Sequence, residues 1–282
     1  MDKSLRYNTD ELQGTKAAIK MALRSPRGVR TVWTVVEGEE DYLFYSRMFN
    51  DEIVTIKTSE DKDGRRGYKN VETIVVEIYE EHDNVNIFGI RDRDYTPFES
   101  VEHVFPENVF VTDHRDLEMM LFDSPSVILE METWTSCFTH TWQKILPVAI
   151  YIGCVRICNH VNDYGCIMRR VVKAGRLWNY STHDFIPSWK SVCASVLEGN
   201  MSEDDLDKFI RDAGLMNLPI HAVCRGHDVV NLLSWALVCK EFTTKAITDK
   251  LIYSYTVDDF QRTNLYASIQ SWADARNLQI LA

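Results

Sequence analysis

The chain has 282 residues, 31 Lys and Arg against 42 Asp and Glu for a formal net charge of −11, and is 45% hydrophobic and 26% charged. These proportions exclude a disordered, collagen-like or low-complexity protein, and the length suits one large domain or two smaller ones. The acidic balance excludes a protein that coats nucleic acid by bulk charge, but not an enzyme that reaches a polyanion through metal ions.

The N-terminal half alternates β-branched runs with amphipathic stretches, the pattern of an α/β unit with a parallel sheet. A helical lead is expected over residues 10–24, then a turn at Ser25-Pro26-Arg27-Gly28. The strand 31–36 that follows lacks polar alternation, as in strands covered on both faces. It ends at Glu37-Gly38 and leads into a helix over 39–49, opened by acids that suit the positive end of its dipole. A short strand at 53–56 and a polar loop at 57–69 precede a helix at 70–82. There Val71, Ile74, Val75 and Ile78 repeat at intervals of three and four. The third strand, 85–90, ends in Arg91-Asp92-Arg93-Asp94. The fourth, 109–112, ends in Asp113-His114-Arg115-Asp116-Leu117-Glu118.

From about Met119 onward the pattern is mainly helical. Ser202 is an N-cap followed by Glu203, Asp204 and Asp205, and Gly214 stops that helix. Further helices are expected over 229–242 and 260–276. The expected division is a catalytic α/β domain over 1–122 and a helical accessory or dimerisation domain over 123–282.

The N-terminus carries no apolar leader, and the longest apolar stretch, 145–155, contains Pro147 and is too short to span a bilayer. A soluble, cytoplasmic protein without membrane association is therefore expected. The seven cysteines, none before Cys137, read as reduced core thiols. Cys154, Cys158, His160 and Cys166 lack the C-x2-C spacing of a zinc site, so zinc is not expected.

The chemistry-bearing feature is a set of carboxylates where strands end: Glu37 after the first, Asp92 and Asp94 after the third, Asp116 and Glu118 after the fourth. Ligands of an open parallel sheet bind outside the carboxyl ends of its strands. Residues i and i+2 of an extended chain point the same way, so Asp92 and Asp94 can converge. Such acids repel one another without a cation among them, and hard oxygen donors suit Mg2+ or Mn2+. Any one pair alone reads more readily as a solvated acidic loop; the combination points to a cation.

Val36-Glu37-Gly38-Glu39-Glu40-Asp41 after one strand and Asp92-Arg93-Asp94 after a later one resemble the Toprim domain. The longer match through Tyr42 to Tyr45, with Arg91 to Tyr95 and Thr112 to Glu118, is similar to the Toprim proteins encoded beside ABC-type ATPases in bacterial defence loci. That branch includes the effector nuclease of the PARIS anti-phage system. More distantly the chain resembles the overcoming-lysogenization-defect nucleases. The likeness covers about residues 28–122, with an echo at Arg225-Gly226-His227-Asp228. It implies a mostly parallel sheet flanked by helices. It also implies Glu37 as metal ligand or general acid/base, Asp92 and Asp94 as catalytic metal ligands, Asp41 as a further ligand, and Asp116 with Glu118 as a second metal position. The related proteins carry more glycine where this chain has Asp63-Gly64-Arg65-Arg66-Gly67-Tyr68.

In the 57–69 loop, Lys57, Lys62, Arg65, Arg66 and Lys69 outnumber Glu60, Asp61 and Asp63 just before a helix start, a setting for phosphate contacts or simply a solvated loop. Arg93 and Arg115 interleave with the acids and either hold a phosphate or neutralise them. His227 is a substrate contact on the sharper reading; on the plainer one it belongs to a helix start where Asp228 satisfies backbone N–H groups. The resemblance further implies a Mg2+-dependent endonuclease acting on RNA, tRNA in particular. It would be an anti-phage effector, held and then released or activated by an ABC-type ATPase, and active as a homodimer. A non-catalytic subunit that keeps the fold and docks on an ATPase is the alternative.

Overall fold

The computed structural model describes residues 14–61, 63–82, 84–100, 103–170, 172–237 and 241–281. The order begins α1 (Gly14–Ala22), α2 (Pro26–Arg30), β1 (Val32–Val36), α3 (Glu39–Tyr45), β2 (Val54–Thr58), α4 (Tyr68–Glu81), β3 (Ile87–Arg91) and β4 (Val109–Val111). It continues with α5 (Leu117–Phe122), α6 (Pro125–Trp134), α7 (Phe138–Val161), α8 (Ala174–Leu177), β5 (Trp178–Asn179), β6 (Asp184–Phe185), α9 (Trp189–Ala194), α10 (Glu203–Asp212), α11 (Ile220–Val223), α12 (Gly226–Ala236) and α13 (Thr244–Ser254). It ends with α14 (Val257–Phe260) and α15 (Asn264–Asp274).

These elements form two compact units. The first holds the described residues up to 92, with 104–113 and 256–281; the second holds the described residues within 93–103 and 114–255. A cut at residue 122 therefore does not describe the packing, because α14 and α15 return to the sheet.

In the first unit β2, β1, β3 and β4 lie side by side in that order, all parallel, with Val32 opposite Val54, Trp33 opposite Ile87 and Gly89 opposite Val109. Every residue of β1 and β3 is buried, which explains why neither strand alternates polar with apolar. On one face Val71, Ile74, Val75 and Ile78 of α4 pack onto Trp33, Val35, Ile87 and Val109. The close seat of α4 depends on Gly89: a Cβ there would stand 2.7 Å from Val71 Cγ1 and 3.1 Å from Val75 Cγ2.

The other face is aromatic. Phe260 of α14 meets Phe44, Tyr45 and Phe49 at ring separations of 6.0–6.2 Å, and Trp272 of α15 meets Phe88 at 5.0 Å. Such pairs add about 0.5–1.5 kcal/mol each beyond area burial. Trp272 also donates its indole N–H to the Asn108 side chain at 3.0 Å, and Asn50 N–H bonds to the Ile280 carbonyl at 3.0 Å. The last two helices thus complete the core of the α/β unit.

Several boundaries shift for local reasons. Ser25 does not merely turn the chain; its hydroxyl caps α2 by accepting the Gly28 N–H at 3.1 Å, with Pro26 at the first helical position. The helix expected over 39–49 stops at Tyr45, and the chain then turns to meet the C-terminal segment at Asn50. β2 extends to Thr58, and α4 starts at Tyr68, directly after Gly67 at φ +136°.

The second unit is mainly helical and centres on α7, against which α9, α10, α11 and α12 pack. By length and composition α7 would suffice to cross a membrane, but half of its residues, including Ile145, Ile152, Cys154 and Ile157, are buried within the protein, and Pro147 lies inside it. Cys154 and Cys158 face this core, where burial pushes their thiols up to about 12 and about 11. They behave as inert apolar groups, as their one-turn spacing suggests. Ser202 caps α10 through the Asp205 N–H at 3.2 Å, while α12 begins earlier than expected, at Gly226. The β5–β6 hairpin is too short to leave a period in the sequence.

Replacing Gly89 with alanine forces a methyl into the α4 seat and should lower unfolding free energy by about 1–3 kcal/mol. Urea denaturation followed by tryptophan fluorescence measures this, with Trp33 and Trp272 reporting on the first unit.

Candidate metal centre

β1 and β3 are neighbours, so their carboxyl ends deliver Glu37 and Asp92 side by side. Glu37 Oε1 accepts the Asp92 N–H at 2.9 Å, a charge-assisted bond worth about 1.5–3 kcal/mol. Both residues are half-buried. Asp41 lies one helical turn on, in the first turn of α3, where its Oδ2 accepts the Gly38 N–H at 2.9 Å. Glu37, Asp41 and Asp92 thus lie near the adjoining ends of β1 and β3; among the described residues their carboxylates are not gathered within 4.8 Å of one another, and as all-oxygen donors they would suit Mg2+ or Mn2+. The aim of Glu37 follows from β1 ending in a fully buried Val36: the next side chain is the first that can reach solvent.

The basic loop is anchored to the end of β1. The Ser59 hydroxyl lies 3.1 Å from the carbonyl oxygens of both Glu37 and Gly67 and accepts the Gly67 N–H at 3.0 Å. Asp61 Oδ1 takes the N–H groups of Asp63 and Arg65, each at 2.8 Å, and Asn70 donates to the Ser59 and Arg65 carbonyls. Arg65 and Lys69 are exposed, Lys69 in the first turn of α4 rather than in the loop. Arg66 is held by two acids, Glu60 at 2.7 Å and Glu39 at 3.0 Å. Lys62 lies outside the described residues. Arg91 is buried, paired with Glu72 at 2.5 Å and stacked 4.1 Å over the Tyr68 ring.

The remaining strand-end residues belong to the second unit and are used differently. Asp94 has φ +49°, a left-handed conformation that Asp tolerates, and its N–H bonds to the Arg115 carbonyl at 2.7 Å. Glu118 and Arg93 are half-buried. Asp116 is 4% exposed and caps two helices at once: Oδ1 accepts Met119 N–H at 3.0 Å and Oδ2 accepts Gly226 N–H at 2.8 Å. Burial pushes its carboxyl pKa up, against the lowering by those N–H groups. Asp116 is thus an inward-facing structural cap, with each oxygen engaged by a backbone N–H. Arg115 is 2% exposed, donates to the Val223 carbonyl and lies 4.2 Å over the Tyr95 ring, which leaves it no surface for a substrate.

In the Arg225-Gly226-His227-Asp228 motif, Arg225 and His227 are exposed while Gly226 packs against the Glu118 Cβ. Asp228 is no simple cap. It is 3% exposed and forms a two-point ion pair with Arg156 of α7, at 2.5 Å to Nε and 2.8 Å to Nη2.

Two groupings escaped sequence reasoning. Arg156 had no visible partner, since Asp228 lies 72 positions away. His114, Asp123 and His221 converge with their donor atoms all within 4.8 Å. Neither histidine has a local spacing that reveals the other, and Asp123 is a lone acid after α5. His221 is lowered in pKa by burial and by His114, against the pull of Asp123.

Comparison of the chain with protein-family models and with curated proteins finds no match.

Asp228→Ala would leave the Arg156 charge buried without its partner and should cost about 3–5 kcal/mol. His227→Ala, at an exposed neighbour, should leave the urea midpoint unchanged. Equal effects of the two substitutions would contradict a structural role for Asp228.

Proposed function

We propose that the chain is a Mg2+-dependent nuclease of the Toprim type, hydrolysing phosphodiester bonds at the crevice where β1 and β3 end. The observation that carries this reading is the 2.9 Å bond from the Asp92 backbone N–H to the Glu37 carboxylate, which fixes that carboxylate at the adjoining ends of two parallel strands. The motif resemblance, Val36 to Asp41 together with Asp92-Arg93-Asp94, supports the same chemistry from the sequence side.

On this reading Glu37 and Asp92 hold the ion, with Asp41 beside them. A carboxylate accepts at both oxygens, so the Asp92 N–H orients Glu37 while leaving acceptor capacity. When bound, the metal supplies Lewis-acid stabilisation of the phosphoryl oxygens and a more acidic water. Glu37 is the acid/base group that takes the proton of the attacking water. Arg65 and Lys69, exposed beside the α4 N-terminus, contact substrate phosphates. Arg66 joins them only on release from Glu39 and Glu60. Asp94 and Glu118 are further ligand candidates from the resemblance alone, as is His227 for substrate contact. Asp116 and Arg115 drop out of the proposed machinery because of how they are buried.

The resemblance supports the finer parts of the proposal: RNA, with tRNA foremost, as substrate; an anti-phage defence role in the cytoplasm; an ABC-type ATPase that restrains and releases the protein; and a homodimer as the active form. The net charge of −11 fits such delivery, since an acidic surface binds nucleic acid weakly away from the site.

The purified chain should cleave RNA in Mg2+ and stop in EDTA. Glu37→Gln keeps an oxygen for the Asp92 N–H but removes the charge and the base. It and Asp92→Asn should each slow cleavage by at least about 100-fold with unchanged far-UV circular dichroism. Arg65→Ala with Lys69→Ala should raise KM more than it lowers kcat. Cleavage by both carboxylate variants at the wild-type rate would refute the proposal. Sequencing of RNA ends after expression identifies the substrate.

A further inference from the structure

We infer that the second unit carries a transition-metal site of its own, formed by His114, Asp123 and His221, which takes one Zn2+ or a similar borderline ion. The argument rests on convergence from three elements. His114 follows the sheet strand β4, Asp123 is the residue at the C-terminal end of α5, and His221 lies in α11. His114 Nε2 stands 2.9 Å from Asp123 Oδ2, and His221 Nδ1 stands 3.8 Å from Asp123 Oδ1. The two imidazoles pack with centroids 3.9 Å apart and planes 34° apart, which sets both against the same carboxylate.

Donors that share a zinc ion sit about 2.0–2.1 Å from it, so they lie about 3–3.5 Å from one another. The donor atoms already lie within 4.8 Å of one another, so loading asks the side chains to draw in by only about 1–2 Å. The backbones are fixed in advance. Arg115 N–H bonds to the His221 carbonyl at 3.1 Å, and the buried Arg115 guanidinium bonds to the Val223 carbonyl. One residue thus ties the segment bearing His114 to the helix bearing His221, the rigid support that a metal site needs.

Two imidazole nitrogens and a carboxylate select zinc, cobalt or nickel over magnesium, which prefers all-oxygen surroundings. Asp123 is 56% exposed, so an ion there keeps at least one position open to water. This donor set differs in kind from Glu37, Asp41 and Asp92 of the first unit, and the two sites would load with different ions. The site also gives zinc a place that the cysteine spacings did not offer.

The test is metal binding by the full chain after chelator treatment and dialysis, in excess Mg2+. Wild type should take up one molar equivalent of Zn2+. Co2+ should give visible d–d bands with no thiolate charge-transfer band. His221→Gln, His114→Gln and Asp123→Asn should each weaken Zn2+ at least about tenfold, and Zn2+ should raise the melting temperature of wild type but not of Asp123→Asn. Asp123 is exposed, so that variant keeps its fold and decides the matter even where a histidine variant does not. Absence of a tight equivalent in wild type, unchanged affinity in Asp123→Asn, or a thiolate band assigning the ion to cysteines would each overturn the inference. None of these outcomes bears on RNA cleavage in Mg2+.

Discussion

Burial of β1 and β3 on both faces is the constraint from which the first unit is built. With α4 on one side and the aromatic group of Phe44, Tyr45, Phe49, Phe88, Phe260 and Trp272 on the other, no charged side chain lies along either strand except at its end, and Thr34 is the one polar side chain inside β1. Charged side chains are therefore pushed to the strand termini. Glu37 is the first residue after β1 that escapes the core and Asp92 the first after β3, and strand adjacency makes their meeting a matter of topology. The dependence on the last two helices follows as well. Without Phe260 and Trp272, one face of the sheet would stand open.

Carboxylates that look alike in sequence do different work. Glu37 and Asp92 stay half-buried at the strand ends, Asp41 braces Gly38, and Asp116 turns inward to satisfy N–H groups of Met119 and Gly226. Asp116 is set apart by its place between the starts of α5 and α12. A carboxylate beside two helix starts is drawn into capping both, because orphan N–H groups inside a protein are costly. Arginines divide in the same way: Arg91 and Arg115 are buried and stacked on aromatic rings, while Arg65 is exposed.

The second unit uses charge to hold helices. Arg156 and Asp228 cross-link α7 and α12, and Arg115 fastens the turn before α5 to α11. A buried two-point pair of this kind specifies register between helices that apolar packing alone leaves loose. The same fastening places His114 beside His221.

The sequence by itself determined the α/β class, the parallel character of the sheet, the helix caps at Ser202 and the carboxylates at strand ends. Each of these is written in a local period or a local pair of residues. Val71, Ile74, Val75 and Ile78 announce α4, and an uninterrupted apolar run announces β1. The tertiary structure alone decided which acids face solvent, that residues 256–281 return to the sheet, that Arg156 meets Asp228, and that His114, Asp123 and His221 converge. The physical reason is range. Propensity, capping and amphipathic spacing act within a few residues, whereas desolvation and pairing of charges depend on neighbours that only the folded chain brings together.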